Sequence, residues 1–275
     1  MTPSFNIQAP VTDSSSAHLF IEAGPMGISI FILDADNCFR NVLIYSFPAG
    51  MQAAEFNKEI KRIVQTEDLL QKQYKRTDIF WSFPESILVP PEFMDNDNNK
   101  EILDLVYGSA NGGVVKNDFL YKHNLHNVYR VPGSIDEIFA SQFSSAGQVH
   151  QYSLLANRKK QEDNELFAVF YTNSFTVMLR KAGGIQVVQS FTYNNPADAA
   201  YHLLNVCQSF GLDPNSLTLH ISGLVDEKSN LYAAIYNYFL NTRFDESPGN
   251  FEYREEIKVH PRHFFSHLFS LAACV

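Results

Sequence analysis

Apolar residues from His18 to Phe47 fall into three dense runs: Leu19 to Ile21, Ile28 to Leu33 and Asn41 to Phe47. The first two breaks, Gly24-Pro25-Met26-Gly27 and Asp34-Ala35-Asp36-Asn37, are turn signals. Tight turns between consecutive strands make neighbours antiparallel. Pro48 and Gly50 end the third run, and Phe56, Ile60, Ile63 and Val64 then recur with the period of an amphipathic helix. Asp78 to Phe83 reads as a further strand, Glu101 to Tyr107 as a helix stopped by Gly108, and Asn127 to Val131 as a strand ended by Pro132. Ser134-Ile135-Asp136-Glu137 has the spacing of a capping box at the start of a helix lined by Ile135, Ile138, Phe139 and Phe143. Strands joined through helices pair in parallel, so the predicted sheet is mixed.

The same plan is then written a second time. Leu166 to Phe170, Phe175 to Leu179 and Ile185 to Thr192 read as strands, with a turn at Lys181-Ala182-Gly183-Gly184. Asn195-Pro196 caps and starts a helix, since proline at the first helical position loses no hydrogen bond. Ala199, Ala200, Leu203, Leu204, Cys207 and Phe210 form its apolar face, and Gly211 ends it. Leu217 to Ile221 is a strand running into Ser222-Gly223, and Leu231, Ala234, Ile235 and Tyr238 mark a helix. Phe251 to Arg254 reads as a last strand and His263 to Ala273 as a Phe-rich terminal helix. The predicted organisation is a flexible N-terminal arm over 1–17, a first domain over 18–157 and a second over 158–275. The last helix is a candidate to pack back on the first domain.

Composition narrows the function classes. The chain has 275 residues, 45% of them hydrophobic, with 23 Phe and 13 Tyr, enough for a large core. Its net charge is −9, and its largest basic block is Arg158-Lys159-Lys160, read as a solvated linker. That pattern argues against a nucleic-acid partner. No apolar run approaches the roughly 18 residues that span a bilayer, and Met1 to Ala17 lacks the pattern of a signal peptide. Three widely separated cysteines form no disulfide framework. Cytoplasmic residence is the expectation, without a membrane.

The duplicated order of three antiparallel strands followed by alternating helices and strands resembles the actin-like (ribonuclease-H-like) ATPase fold. That group includes actin, sugar kinases, chaperones of the seventy-kilodalton class, and bacterial pilus and division proteins. The chain is also similar to an uncharacterised bacterial domain-of-unknown-function family with this fold. The residues carrying that resemblance are Ser190-Phe191-Thr192-Tyr193, Asp198 to Leu204, Gly211-Leu212-Asp213-Pro214, Ser222-Gly223 and Ser229-Asn230-Leu231-Tyr232.

The resemblance implies two α/β domains arranged as in actin-like ATPases and a nucleotide cleft between them. ATP-binding members carry Asp-x-Gly-x-x-Ser/Thr at the first hairpin of each domain, where backbone amides cradle phosphate. The matching residues in the first half are Glu22, Gly24 and Gly27, with the acid lengthened and the hydroxyl gone. In the second half they are Val169, Tyr171 and Ser174, with acid and glycine both lost. The adenosine-binding stretch keeps one glycine, in Ser222-Gly223-Leu224. Glu22, Gly24, Gly27, Ser222 and Gly223 are therefore candidate remnants of a nucleotide cleft, although a tight hairpin is the favoured reading of Gly24 and Gly27.

Two readings follow. In the first, the chain is a non-catalytic or degenerate actin-like protein, without a cofactor, that binds a protein partner or a second copy of itself. In the second, it is a divergent nucleotide-dependent kinase or ATPase that uses ATP with magnesium, Glu22 and another acid such as Asp226. Two other patterns resemble metal sites. Asp95 to Asn99 departs from a calcium loop at its sixth position, Lys100. His260, His263 and His267 have metal-like spacing, but their Phe-rich surroundings fit a packed helix better.

Overall fold

The structure is a computed structural model that describes residues 1–10, 13–94, 98–110, 112–159 and 161–274. In chain order the strands are β1 (Phe5–Ile7), β2 (His18–Gly24), β3 (Gly27–Leu33), β4 (Cys38–Ser46), β5 (Arg76–Trp81), β6 (Ser86–Val89), β7 (Gly113–Leu120), β8 (Leu125–Pro132), β9 (Gly147–His150), β10 (Glu165–Phe170), β11 (Ser174–Lys181), β12 (Gly184–Thr192), β13 (Thr218–Gly223), β14 (Thr242–Phe244) and β15 (Glu252–Tyr253). The helices are α1 (Ala53–Thr66), α2 (Asn99–Tyr107), α3 (Gly133–Gln142), α4 (Gln151–Asn157), α5 (Pro196–Ser209), α6 (Asn230–Tyr236), α7 (Glu255–Lys258) and α8 (His263–Ala272).

The chain forms two compact units, and neither is one continuous stretch. The first holds Met1–Phe119, Asn124–Gln151 and Gly249–Val259. The second holds Leu120–His123, Tyr152–Pro248 and His260–Val275. The stretch that rejoins the first unit is therefore 249–259, through β15 on β4, whereas α8 packs on β13 inside the second unit.

The main sheet of the first unit has the order β1-β4-β3-β2-β5-β9. β2, β3 and β4 pair antiparallel, while β5 joins β2 and β9 joins β5 in parallel. Its apolar face, including Leu19, Ile21, Ile30, Leu43, Ile79 and Trp81, packs with Ile60, Ile63 and Val64 of α1 and with Ile135 and Phe139 of α3. The stretch read as an arm supplies β1, which lies on the edge of β4 with Phe5 opposite Ile44 and Ile7 opposite Val42.

Residues 86–132 depart from the expected order. Asn127 to Val131, expected to continue the main sheet, lies in β8 of a separate three-stranded sheet, β6-β8-β7. The strand that follows β5 in the main sheet is instead β9, four residues long and too short to carry its own periodic signal. The capping box at Ser134 does not form. α3 starts two residues earlier than that cap would place it, at Gly133, with Pro132 at its N-cap and no side-chain cap. The Asp95 and Asn111 turns fall on, or run through, residues outside those described.

The second unit repeats the central order as β12-β11-β10-β13-β14, again with an antiparallel trio and two parallel additions. Leu166, Ala168, Phe170, Val177 and Leu179 pack with Ala199, Leu203 and Cys207 of α5 and with Ile235 of α6. The start of α5 follows the sequence signal: Pro196 occupies the first turn, and Asn195 and Asp198 exchange hydrogen bonds as a capping box. Arg158, read as part of a solvated linker, is largely buried. It pairs with Asp245 and lies 4.0 Å over the Phe167 ring; Lys160 lies outside the described residues.

Candidate functional site

The strand registers define equivalent rows in the two units. Glu22 on β2 lies between Ser29 on β3 and Phe80 on β5. Val169 on β10 lies between Thr176 on β11 and Ser222 on β13. At the position where the first unit carries an acid the second carries a methyl-branched side chain, and Ser222 corresponds to Phe80. Glu22, Gly24 and Gly27 come together on one hairpin of the first unit. Ser222 and Gly223 come together at the end of β13 in the second.

Glu22 is buried, at 3% exposure. Gln151 donates from Nε2 to Glu22 Oε1 at 3.0 Å, and the Ser29 hydroxyl lies 3.4 Å from Oε2. A carboxylate at such depth requires donors of this kind. No local signal marks the Gln151 contact, because its partner lies 129 positions away.

The two glycines of this hairpin have packing reasons to be glycine. A Cβ on Gly24 would overlap the Ser82 side chain and approach its carbonyl oxygen at 3.0 Å. Gly27 has φ of 145°, and a Cβ there would overlap the backbone carbonyl of Tyr45. Close approach of a neighbouring chain segment explains both, Ser82 just beyond β5 for Gly24 and Tyr45 of β4 for Gly27.

The second unit's hairpin has neither the acid nor the open backbone of a phosphate cradle. The Tyr171 amide donates to the Ser174 carbonyl at 2.8 Å, closing the turn. Its ring meets His267 edge-on, with centroids 5.8 Å apart. Gly223 has φ of 87°, and a Cβ there would overlap the carbonyl oxygen of Phe170. This glycine, too, is required by the strand beside it.

Ser222 is fully buried and held by α8. Its hydroxyl lies 2.7 Å from Ser266 Oγ, 3.2 Å from His267 Nδ1 and 3.1 Å from the His263 carbonyl oxygen. The His267 amide also donates to Ser222 Oγ at 3.1 Å. A hydroxyl has one proton and two lone pairs, so these contacts use its whole capacity. The His263 ring is engaged as well, with Nε2 2.7 Å from the Val225 carbonyl oxygen. Among the described residues no group of three His, Cys, Asp or Glu side chains is placed to hold a metal ion. Asp226, the acid paired with Glu22 in the enzymatic reading, caps its own loop by accepting from the Lys228 amide at 2.7 Å.

Burial pushes the His267 imidazole down to about 3, far below its ordinary value, so the ring is neutral in the folded chain. The unfolded chain binds a proton there below pH of roughly 6.5. Stability is therefore complete above that value and is lost as pH falls from it toward the folded value, by about 1.4 kcal/mol per pH unit for this residue. Urea denaturation at pH 7 and pH 5 should show the loss, and His267→Gln should flatten the dependence. An unchanged slope in that variant would show that His267 takes up its proton without unfolding.

A family model described as "Protein of unknown function (DUF3822)" matches residues 8–242. The chain belongs to this family. No curated protein matches its sequence. The DUF3822 chain is similar to a solved Bacteroides thetaiotaomicron VPI-5482 protein described as having an actin-like ATPase fold and unknown function. The identity is 16%, over 98% of this chain and 100% of that one, with a TM-score of 0.78. A structure of the PilM–PilN type IV pilus biogenesis complex is matched at 13% identity over 95% and 98% of the two chains, with a TM-score of 0.56. The ethanolamine utilization protein EutJ from Carboxydothermus hydrogenoformans matches at 7% identity over 98% and 93%, with a TM-score of 0.50. This DUF3822 protein thus has the actin-like ATPase fold, which by itself assigns no activity. Among the described residues no helix is long and apolar enough to cross a membrane.

Proposed function

We propose that this DUF3822 protein is a non-catalytic actin-like protein that acts by binding a protein partner, and that its two units arose by duplication of one ribonuclease-H-like domain. The observation that carries the reading is the saturation of Ser222 by α8. The turn that corresponds to the fold's adenosine-binding stretch is committed to the protein's own terminal helix. Val169 in place of an acid supports the same conclusion, since phosphoryl transfer depends on positioned metal and phosphate together. The residues present in the second unit do not fit ATP with magnesium. Likeness to PilM, solved in a complex with PilN, supports the binding role. Three free cysteines and the acidic composition suit the reducing cytoplasm.

One observation favours the alternative of a divergent kinase or ATPase: Glu22 keeps a carboxylate at the hairpin position and two side chains orient it. Isothermal titration with ATP and magnesium separates the readings. The expected result is no saturable heat up to about 1 mM ATP, the weak end of specific association. Saturable, magnesium-dependent binding that is lost in Glu22→Gln would overturn the non-catalytic reading.

A further inference from the structure

The two units differ at one sheet edge. In the first, the outer side of β4 is covered by β1 and β15, with Ser4 extending the β1 pairing through its amide to the Ile44 carbonyl at 2.7 Å. β12 holds the corresponding place in the second unit, third of the antiparallel trio, and ends the sheet. Among the described residues no strand pairs with its outer side. It is nine residues long, Gly184-Ile185-Gln186-Val187-Val188-Gln189-Ser190-Phe191-Thr192. An edge of that length is ordinarily blocked by a lysine, an inward charge or a proline, because its free amides and carbonyls are a template for another strand. β12 has no charged residue and no proline, on a chain of net charge −9. Its one irregularity lies at the Gln186 end, where the register with β11 shifts between Leu179 and Arg180.

We propose that β12 is a docking edge and that its occupant is β12 of a second copy of this chain, paired antiparallel about a two-fold axis normal to the sheet. β4 shows that this edge position accepts extended segments, β1 antiparallel and β15 parallel, and two-fold symmetry selects the antiparallel pairing. The β12 sequence is complementary to itself. Two-fold symmetry requires facing residues to share a face of the sheet, so a residue on the axis faces itself. Centred on Gln189, the pairing sets Val187 opposite Phe191 twice, Val188 opposite Ser190 and Gln186 opposite Thr192. β-branched residues facing aromatics are among the favourable cross-strand pairs, and no like charges meet. Val187 and Phe191 already pack on the core below, so they enter the pairing pre-positioned. The acidic character of the rest of the chain favours this uncharged strip over other surfaces for contact between copies. The inference gives the proposed binding role one partner, and it does not depend on whether nucleotide binds.

Strand pairing alone buries less than the area of a standard interface, so the dimer is expected to be weak and concentration-dependent. Sedimentation equilibrium up to about 1 mM protein should show a reversible monomer–dimer equilibrium. Gln189→Lys, at an exposed position, sets two like charges across the axis and should weaken it at least about tenfold with unchanged circular dichroism. In Gln189→Cys, mild oxidation should join the two introduced thiols, the disulfide being mapped by mass spectrometry away from Cys38, Cys207 and Cys274. A wild-type chain monomeric over the whole range overturns the proposal and leaves a foreign strand as the occupant of the edge. So does a dimer that Gln189→Lys does not weaken, or one that Gln189→Cys fails to cross-link. Mass reads the dimer and heat reads the nucleotide, so failure of one reading is distinguishable from failure of the other.

Discussion

Gly223→Ala should cost more than about 4 kcal/mol, placing it among the most destabilising single substitutions. Two effects add at this position. The backbone has φ of 87°, where an L side chain is strained by about 1 kcal/mol or more. The new methyl group would also overlap the Phe170 carbonyl oxygen, a backbone atom of the neighbouring strand. That oxygen accepts from the Leu224 amide at 2.8 Å, so it cannot withdraw without opening the turn after β13. Gly211→Ala is the control. Its φ is 62° with no atom within 4 Å of the added carbon, so it carries the backbone strain alone, about 1 kcal/mol. Urea denaturation followed by circular dichroism gives both values. If the two substitutions cost the same, the overlap at Phe170 is relieved by relaxation and the packing account of this glycine fails. The result also bears on function: lost ligand binding in a Gly223 variant would report an unfolded sheet, which is why Glu22→Gln is the better probe of nucleotide.

The same glycine shows how far the sequence could be read. The strand trios were legible because each buries apolar residues between strong turn signals, as in His18–Gly24 and Gly27–Leu33. α5 was legible because Asn195, Pro196 and Asp198 satisfy its first amides locally. Such signals reside within a few residues. The fate of Ser222 was not legible, since its partners His263, Ser266 and His267 lie over forty positions later. Gly223 could be recognised as a glycine of the right kind in the right place. Whether it made room for a ligand or for Phe170 depended on tertiary packing. The sheet at 86–132 is not legible for a related reason: β7 alternates intermediate and exposed residues over much of its length, with one fully buried position, so it offers no apolar run. The burial of Arg158 is not legible because a charged side chain in a polar stretch carries no local mark of the Asp245 that neutralises it.

Arg180→Met should cost about 3–5 kcal/mol, the range for removing one member of a buried ion pair. Arg180 and Glu165 face each other across β11 and β10 and are each 2% exposed. The guanidinium pairs with the Glu165 carboxylate through Nη1. Its Nη2 reaches the carbonyl oxygens of Arg158 and Ala156 at 3.2 and 3.4 Å, where the chain leaves α4. Methionine fills most of the volume but leaves Glu165 charged and buried without its partner, and both carbonyls lose a donor. The size of the effect comes from that residue left behind, so changing both sides should be milder. Arg180→Met with Glu165→Leu is expected to recover most of the loss, because an apolar pair of similar volume carries no desolvation cost. The two positions are in contact, so the non-additivity is itself the measured coupling. Chemical denaturation of the two single variants and the double variant completes the cycle. A double variant no more stable than Arg180→Met would show that the carbonyls at Ala156 and Arg158, rather than the carboxylate, set the cost. The role of Arg180 would then be to anchor the segment between α4 and β10, the entry of the chain into the second unit's sheet.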